Sequence, residues 1–466
     1  MIIKAIPSRW LIEEEHRLDC GPFVKGGVEA RKAIEGLRCR KDHLVELTQG
    51  GLIGIYHVGQ DKIVWTEDNI HGMPFLRSAD ILKADLSYQP FISRKQVAGN
   101  HLFQCPTGTT LITRSGSIGR MAYMREDMED TAISQDVLKV LPDSEKVKPG
   151  YLFAFLSSKY GIPIVTGGTF GSIIVHIEAE NIAQLPVPRL SDVEDQAHEL
   201  VQKAANNRVS ATNLINEAIA ETYLKLGMPA LSRVKVNSPS LTVQSSRMIL
   251  KRMDSFYYSN ANIKAREAFD NAARLNGEAK LGDTADVWIP NIFKRMYVDD
   301  PDFGYPYFTG KEIYELTPST DLYLKKDVAG GNRLILSRGM ILVQDSGQLS
   351  GIIGRPVQVG KNLSGAACTN NMVRIQATDD YDNGYLFALL STHYGINLLK
   401  REASGSSIPL LDEGRIKDLC IPWPNQDIRS LIGNKVLEAL DLRDESVDLE
   451  NDARVLVEHA IEEGAR

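Results

Sequence analysis

The segment GYLFAFLSSKYGIPIVTGGTFGSIIVHIEAENIAQLPVPRL, from Gly150 to Leu190, occurs twice in this chain. It returns 234 positions later as GYLFALLSTHYGINLLKREASGSSIPLLDEGRIKDLCIPWP, from Gly384 to Pro424. The copies align without a gap. Gly150 falls on Gly384, Tyr160-Gly161 on Tyr394-Gly395, Gly171-Ser172 on Gly405-Ser406, and Pro188 on Pro422. Coincidence does not hold that register over so long a segment. Self-similarity at a fixed interval marks a duplicated structural unit. The chain is therefore two copies of one domain, and its function is one performed twice.

Working outward, the match continues in order. The first repeat opens near Arg17-Leu18-Asp19 and the second near Arg252-Met253-Asp254. Short helical stretches follow at Ala30–Ala33 and Ala265–Ala268. Strand-like pieces end in Pro74-Phe75-Leu76 and Pro306-Tyr307-Phe308, with Ile81 and Ile313 closing the matching turns. Val97-Ala98-Gly99 corresponds to Val328-Ala329-Gly330. A Gly-led hairpin comes next, Gly108 to Arg120 in one copy and Gly339 to Gly347 in the other. Apolar and β-branched residues running into a Ser-Gly turn predict strand, turn, strand. A further strand leads to Ser134-Gln135-Asp136 or Thr369-Asn370-Asn371. Tyr151–Lys159 and Tyr385–His393 read as an amphipathic helix, followed by a Gly/Ser-rich loop and a short exit strand ending in proline.

A long helical pattern follows each exit. Ser191 with Glu194 has the spacing of a capping box. Val201, Ala205, Val209, Thr212, Ile219, Tyr223 and Leu226 fall close to one face, and Gly227 and Pro229 end the helix. In the second copy Ile432, Val436, Ala439, Leu442, Leu449, Ala453, Leu456 and Ala460 recur at steps of three, four or seven, a coiled-coil pattern. About forty residues of helix at 1.5 Å each make a rod of roughly 60 Å. These readings divide the chain into a first repeated domain at 1–188, a helix at 189–229, a linker at 230–246, a second repeated domain at 247–424 and a C-terminal helix at 425–466.

Composition sets the outer bounds. Of 466 residues, 43% are hydrophobic and 24% charged, the balance of a globular protein. The five cysteines (Cys20, Cys39, Cys105, Cys368, Cys420) are scattered and form no C-x-x-C pair, so neither a zinc site nor a disulfide framework is implied. No apolar run reaches the length of a membrane span, and the N-terminus lacks the apolar core of a signal peptide. The expected location is cytoplasmic. The net charge is -7, but it is unevenly spread. Arg189–Pro229 carries four Lys/Arg against six Asp/Glu, and Asn425–Arg466 five against eleven. The acidity sits in the two helices and the repeated domains are near neutral, so a local basic face within them is compatible with the overall sign.

These residues together carry a resemblance to a known family. A repeated head with a TRSGSIG hairpin, a Ser-Gln-Asp strand end, a Gly/Ser loop and a proline-marked exit (Leu185-Pro186-Val187-Pro188; Leu419-Cys420-Ile421-Pro422) leads into a long helix. That order resembles the specificity subunits of type I restriction–modification systems. It covers nearly the whole chain and is stronger in the first copy. The second departs where Asp345-Ser346-Gly347-Gln348 replaces Arg114-Ser115-Gly116-Ser117, and where Cys420 replaces the first exit proline. The resemblance implies an α+β fold of two tandem target-recognition domains of mixed α/β type, each followed by a long helix. The helices would pack as an antiparallel coiled coil with pseudo-twofold symmetry. It also implies a cytoplasmic, non-catalytic subunit without a cofactor of its own. Each head would read one half of a split double-stranded DNA site. Two adenine-specific methyltransferase subunits, which carry S-adenosylmethionine, would dock on the helices, with a motor-nuclease subunit as a further partner.

Candidate DNA-binding residues follow from the loops. Arg114, Ser115, Ser117 and Arg120 lie in or beside the first hairpin turn, and Thr169 and Ser172 in the first Gly/Ser loop. The second copy offers Ser346, Gln348, Lys400, Arg401, Ser404 and Ser406. Backbone N–H groups, hydroxyls and cations of this kind suit phosphates; the alternative is that the glycines serve turn geometry alone. The hairpin lacks the Gly-Lys-Ser/Thr ending of a P-loop. Arg94-Lys95, Lys294-Arg295 and Lys325-Lys326 read more simply as solvated charge. Asp299-Asp300-Pro301-Asp302 reads as a turn, and Glu278-Ala279-Lys280 lacks the upstream carboxylate of a nuclease site. No zinc-protease spacing, nucleophile elbow or adenine-methyltransferase motif occurs, so no catalytic or metal residue is assigned. Two other readings stay open: a duplicated scaffold that docks proteins through its helices without reading DNA, and a fused enzyme with an unrecognised site.

Overall fold

The computed structural model of the protein describes residues 4–13, 21–67, 69–167, 176–229, 241–250, 252–405 and 407–464. The chain divides into two compact units: Met1–Val209 with Glu445–Arg466, and Ser210–Asp444. Most of the expected linker, and the opening Arg17-Leu18-Asp19, lie outside the described residues.

In the first unit, helix Gly27–Glu35 precedes a two-stranded ladder. Strand Lys41–His43 runs antiparallel to the exit strand Pro186–Pro188, with Lys41 opposite Pro188. A four-stranded antiparallel sheet orders Ile55–Tyr56, Val137–Val140, Thr110–Thr113 and Met121–Tyr123. A second sheet orders Trp65–Thr66, Phe91–Ser93, Gly72–Leu76 and Ala132–Ile133, and its last pair is parallel.

The second unit repeats every one of these pairings. Glu278–Lys280 pairs with exit strand Cys420–Pro422, so the E-x-K segment is a ladder strand whose Lys280 is ion-paired to Asp418 at 2.8 Å. The first sheet orders Asp286–Trp288, Met372–Gln376, Ile341–Gln344 and Pro356–Gln358. The second orders Tyr297–Val298, Tyr323–Lys325, Gly304–Phe308 and Ala367–Cys368, again with a parallel last pair. A lone parallel pair recurring at the same place in both sheets is the geometric counterpart of the sequence repeat.

Alternation of side chains along a strand explains how each unit stacks its layers. Ile112, Leu138 and Val140 face a core shared with helix Pro149–Leu156, while Leu111 and Val137 face the second layer with Leu76, Ile81 and Ile133. In the second unit Ile341, Val373 and Ile375 face helix Asp380–Ser391, and Leu342 and Met372 face the other way. The helices expected to be amphipathic are covered all round: Gly150 through Leu156 are buried, as are Asp382 through Ser391. Each is roofed by a long helix on the side away from the sheet.

The repeated residues of the opening segment are the joints of this packing. A Cβ on Gly150 would stand 2.9 Å from the His198 Cα, and one on Gly384 would collide with the Gly433 backbone, so glycine lets a long helix cross closely in both copies. Added to Gly161 or Gly395, a Cβ would strike the carbonyls of Phe155 and Leu389. The hydroxyls of Ser158 and Thr392 accept the N–H of those same glycines at 3.1 and 2.9 Å. Tyr151 and Tyr385 donate their hydroxyls to the carbonyls of Pro188 and Pro422, tying each buried helix to its exit strand.

The long helices span Asp192–Lys225 and Gln426–Gly464, roughly 50 and 60 Å at 1.5 Å per residue. In the first unit Ala197, Val201 and Ala205 share a core with Ala453, Val457 and Ile461. In the second, Ala218 and Leu226 share one with Ile432 and Val436. The start of each helix thus lies against the end of the other, an antiparallel pair. The seam is rich in alanine, which brings the backbones close. Near the C-terminus it runs through Val457 and Ile461, whereas the sequence pattern put Leu456 and Ala460 there, because the last turns also pack on Ile34 and Leu37. The expected capping box is replaced as well. Ser191 takes a φ of 52°, and the Glu194 carboxylate accepts the Leu190 N–H and the Arg189 fork at 2.8–2.9 Å.

Candidate nucleic-acid interface

Three segments converge in each unit: the hairpin turn, the turn after the parallel strand, and the chain leaving the Gly/Ser loop. In the first unit the Arg114 N–H donates to the Asp136 carbonyl at 3.0 Å and the Ile177 N–H to the Arg114 carbonyl at 3.3 Å. In the second, the Asp345 N–H donates to the Asn371 carbonyl at 3.3 Å and the Leu411 N–H to the Asp345 carbonyl at 2.8 Å. The backbone cradle is the same; the side chains in it differ. Gly116 and Gly119 (φ 71° and 82°) make the first turn, and Gly347 (φ 134°) the second, conformations that suit glycine.

Arg114 is turned inward. Its guanidinium donates to the Ile177 carbonyl at 3.1 Å and the Gln135 carbonyl at 3.2 Å and pairs with Glu178, which also meets His57 at 3.2 Å. Ser115 donates to the Asp136 carboxylate at 2.9 Å. Ser117 is exposed at the tip, and Arg120 is half-buried with its N–H on the Thr113 hydroxyl at 3.0 Å. Thr169, Ser172 and Ser406 lie outside the described residues.

In the second unit Asp345 occupies the place of Arg114. Burial pushes its carboxyl up to about 6, against the opposing pull of Ser346 and the Arg374 cation. Ser346 bridges to Leu410, which also bridges Ser404, so the hairpin and the Gly/Ser loop form one small ladder. Gln348 and Ser404 are exposed. Lys400 is turned inward: its ammonium donates to the carbonyls of Leu349 and Gly351 at 3.0 and 3.3 Å, pinning the hairpin tip, and burial pushes it down to about 8. Arg401 is buried too. It stacks 3.6 Å from the centre of the Tyr257 ring and pairs with Glu402 at 3.3 Å, which in turn meets Arg252 at 3.5 Å. Arg401 therefore clamps the opening of the second repeat onto its Gly/Ser loop. Nothing in the local sequence announces these inward turns, because the partners lie far along the chain.

The turn at Asp299-Asp300-Pro301-Asp302 is as expected, with the Asp300 carboxylate accepting the Asp302 N–H at 2.9 Å. A cleft of about 420 Å³ opens at the start of the first long helix, lined by Arg40, Lys146, Lys148 and Arg189 among others. Each of these cations is paired with Asp42, Asp143, Asp195 or Glu194. Among the described residues, no group of three or more His, Cys, Asp or Glu could hold a metal ion, and no helix is long and apolar enough to cross a membrane.

No protein-family model matches the chain, and no curated protein matches its sequence. Solved structures do. The chain is similar to restriction–modification S subunits. For the type I S subunit from M. genitalium the identity is 12%, the match covers 92% of this chain and 96% of that one, and the TM-score is 0.32. For the HsdS subunit from Thermoanaerobacter tengcongensis the identity is 12%, the coverage 91% and 96%, and the TM-score 0.27. A chain from a structure on complex assembly and conformational transition of the type I R-M system gives 12%, 92% and 97%, and a TM-score of 0.29.

Proposed function

We propose that the chain is the non-catalytic DNA-recognition subunit of a restriction–modification or related defence complex. Each repeat reads one half of a bipartite site. The helices set the interval between the halves and dock two adenine methyltransferase subunits, with a motor-nuclease subunit as a further partner. One observation carries this reading: two copies of one scaffold keep their backbone cradle and exchange the side chains in it, Arg114 for Asp345 and Ser117 for Gln348. A duplicated protein whose task were identical in both halves has no need of that difference. One that reads two unlike half-sequences does, because base edges are told apart by the donors and acceptors presented to them.

The exposed Ser117, Gln348 and Ser404, with Ser115, Arg120, Ser346 and the loop residues Thr169, Ser172 and Ser406, are the proposed DNA contacts. Arg114, Lys400 and Arg401 act on those loops from behind, as positioning residues. The chemistry falls to the partner, which would take the target adenine out of the stack. Methylation sequencing of cells carrying the gene together with a partner adenine methyltransferase is the test. A split adenine motif that vanishes when this chain is deleted supports the reading. A methylome untouched by the deletion contradicts it and favours a scaffold that docks proteins only.

A further inference from the structure

The second sheet of each unit ends on an exposed aromatic held in the same way in both copies. Trp65 lies opposite Ile92, which lies opposite Met73, so the indole stands on the edge of the sheet that Phe75 belongs to. Its ring meets Phe75 edge-on at 5.5 Å, and yet 55% of Trp65 is open to solvent. In the second unit Tyr297 lies opposite Leu324, meets Tyr307 edge-on at 5.8 Å, and is 46% exposed. Phe75 and Tyr307 are buried equivalents on the central strands. Each outer ring is thus braced from below by a buried ring, which fixes its plane while leaving one side bare.

Cations flank each edge strand, and Lys326 lies 5.9 Å from the centre of the Tyr305 ring on the same sheet. The Ser93 N–H donates to the Val64 carbonyl at 2.8 Å and the Lys325 N–H to the Met296 carbonyl at 2.9 Å. These matching bonds bring the start of the following helix beside the edge strand in both units. That start carries Arg94-Lys95 in one and Lys326 in the other, while the strand itself is preceded by Lys62 and by Lys294-Arg295. Lys62, Arg94, Lys95, Lys294 and Lys326 are exposed and make no ion pair among the described residues. Of the carboxylates close by in sequence, Asp61 accepts the Asn100 amide at 3.0 Å and Asp327 is paired with Lys325 at 2.9 Å, while Glu67 follows Trp65 and Asp299, Asp300 and Asp302 follow Tyr297, so the second edge is of mixed charge. The basic pairs that read as solvated charge in the sequence are therefore brought to the same topological place in each unit, beside the strand that carries the braced aromatic. A ring fixed in plane beside exposed cations matches the stacking and phosphate-binding chemistry of a nucleic acid surface.

We propose that this sheet edge is a second DNA-contacting surface of each unit, separate from the hairpin cluster. The flanking cations hold backbone phosphates of duplex DNA, and the bare face of Trp65 or Tyr297 packs on a sugar or an exposed base. The proposal rests on the DNA-reading function above, and the test separates the two. Binding of the full-length chain to a fluorescein-labelled random duplex is measured by anisotropy across a salt series. Wild type is compared with Arg94→Ala/Lys95→Ala, Lys294→Ala/Lys326→Ala, Trp65→Ala, Trp65→Phe and, for the hairpin cluster, Ser117→Ala/Arg120→Ala. The double cation variants should each flatten the log–log salt slope by about 0.9 for every phosphate they no longer hold. Trp65→Ala should weaken binding about tenfold, Trp65→Phe should restore most of it, and the melting temperatures of the cation variants should match wild type. If wild type binds and only the hairpin variant loses affinity, the edge assignment is overturned while the function stands. If wild type binds no duplex, with or without a partner adenine methyltransferase, both fall.

Discussion

In the first unit the strand residue opposite Leu111 is Lys139, and in the second the residue opposite Leu342 is Arg374. Both are fully buried, on the face turned to the second layer. Arg374 spreads its fork over the carbonyls of Met372, Thr369 and Cys368 and the Cys368 sulfur, at 2.9–3.2 Å. The Lys139 ammonium has no hydrogen-bond partner among the described residues and lies 5.5 Å from the centre of the Tyr56 ring. A planar fork reaches several carbonyls at once, while a point charge on a flexible stem does not. The same cradle therefore tolerates a cation in one copy and is stitched together by it in the other. The duplicated backbone keeps its pairing in both units while the buried side chains that serve it differ.

The largest contrast is between the two ends of the helix pair. Arg208 and Glu450 meet at 2.5 Å and are buried, with Arg208 also on the Ser446 hydroxyl at 3.1 Å. In the second unit Lys435 reaches Glu217 at 2.8 Å in the open. Breaking a buried pair strands a charge, so Arg208→Ala or Glu450→Ala should cost about 3–5 kcal/mol. Lys435→Ala should cost about 0–1 kcal/mol. Chemical denaturation of the three variants checks this, and equal losses at both ends would undo the contrast.

Next come the buried cations. Burial pushes Lys139 down to about 8. Between that value and the unfolded value near 10.5 the unfolded chain holds more protons, so wild-type stability rises with pH across that window. Lys139→Met removes the cost of burying a charge and should stabilise by about 3 kcal/mol at neutral pH, with the gain shrinking above about pH 8. Arg374→Met should destabilise, since it leaves the carbonyls it served unpaired. Melting curves from about pH 7 to about 10.5 read both signs.

The joints should respond alike in both units. Gly150→Ala and Gly384→Ala each push a long helix off its buried partner, at about 1–3 kcal/mol. A loss in one alone would mean that the copies no longer use the glycine for the same purpose. The smallest effect is at the hairpin: Asp345, pushed up to about 6, makes stability fall as pH rises from about 4 to 6, and Asp345→Asn should flatten that fall.

The duplication was legible in the sequence because Gly150, Gly161 and their counterparts are fixed by close backbone approach, and Tyr151 and Tyr385 by the hydroxyl bond each makes to its exit strand. The hairpins and the exit strands were legible from turn residues and alternation. The direction of Arg114, Lys400 and Arg401 was not, since Glu178, Gly351 and Tyr257 decide it through the fold. The helix seam slipped by one residue at its end because the globular core beneath competes with the partner helix. The basic pairs beside Trp65 and Tyr297 were visible as residues but not as patches, since only the strand pairing brings them to a common edge.

Methylome sequencing of cells expressing variants altered in one copy alone tests most directly whether the two units read separate half-sites. Ser117→Ala/Arg120→Ala should change or relax one half of a split motif and leave the other intact, and Gln348→Ala should do the reverse. Loss of both halves together in each variant, or an unsplit motif, would contradict it.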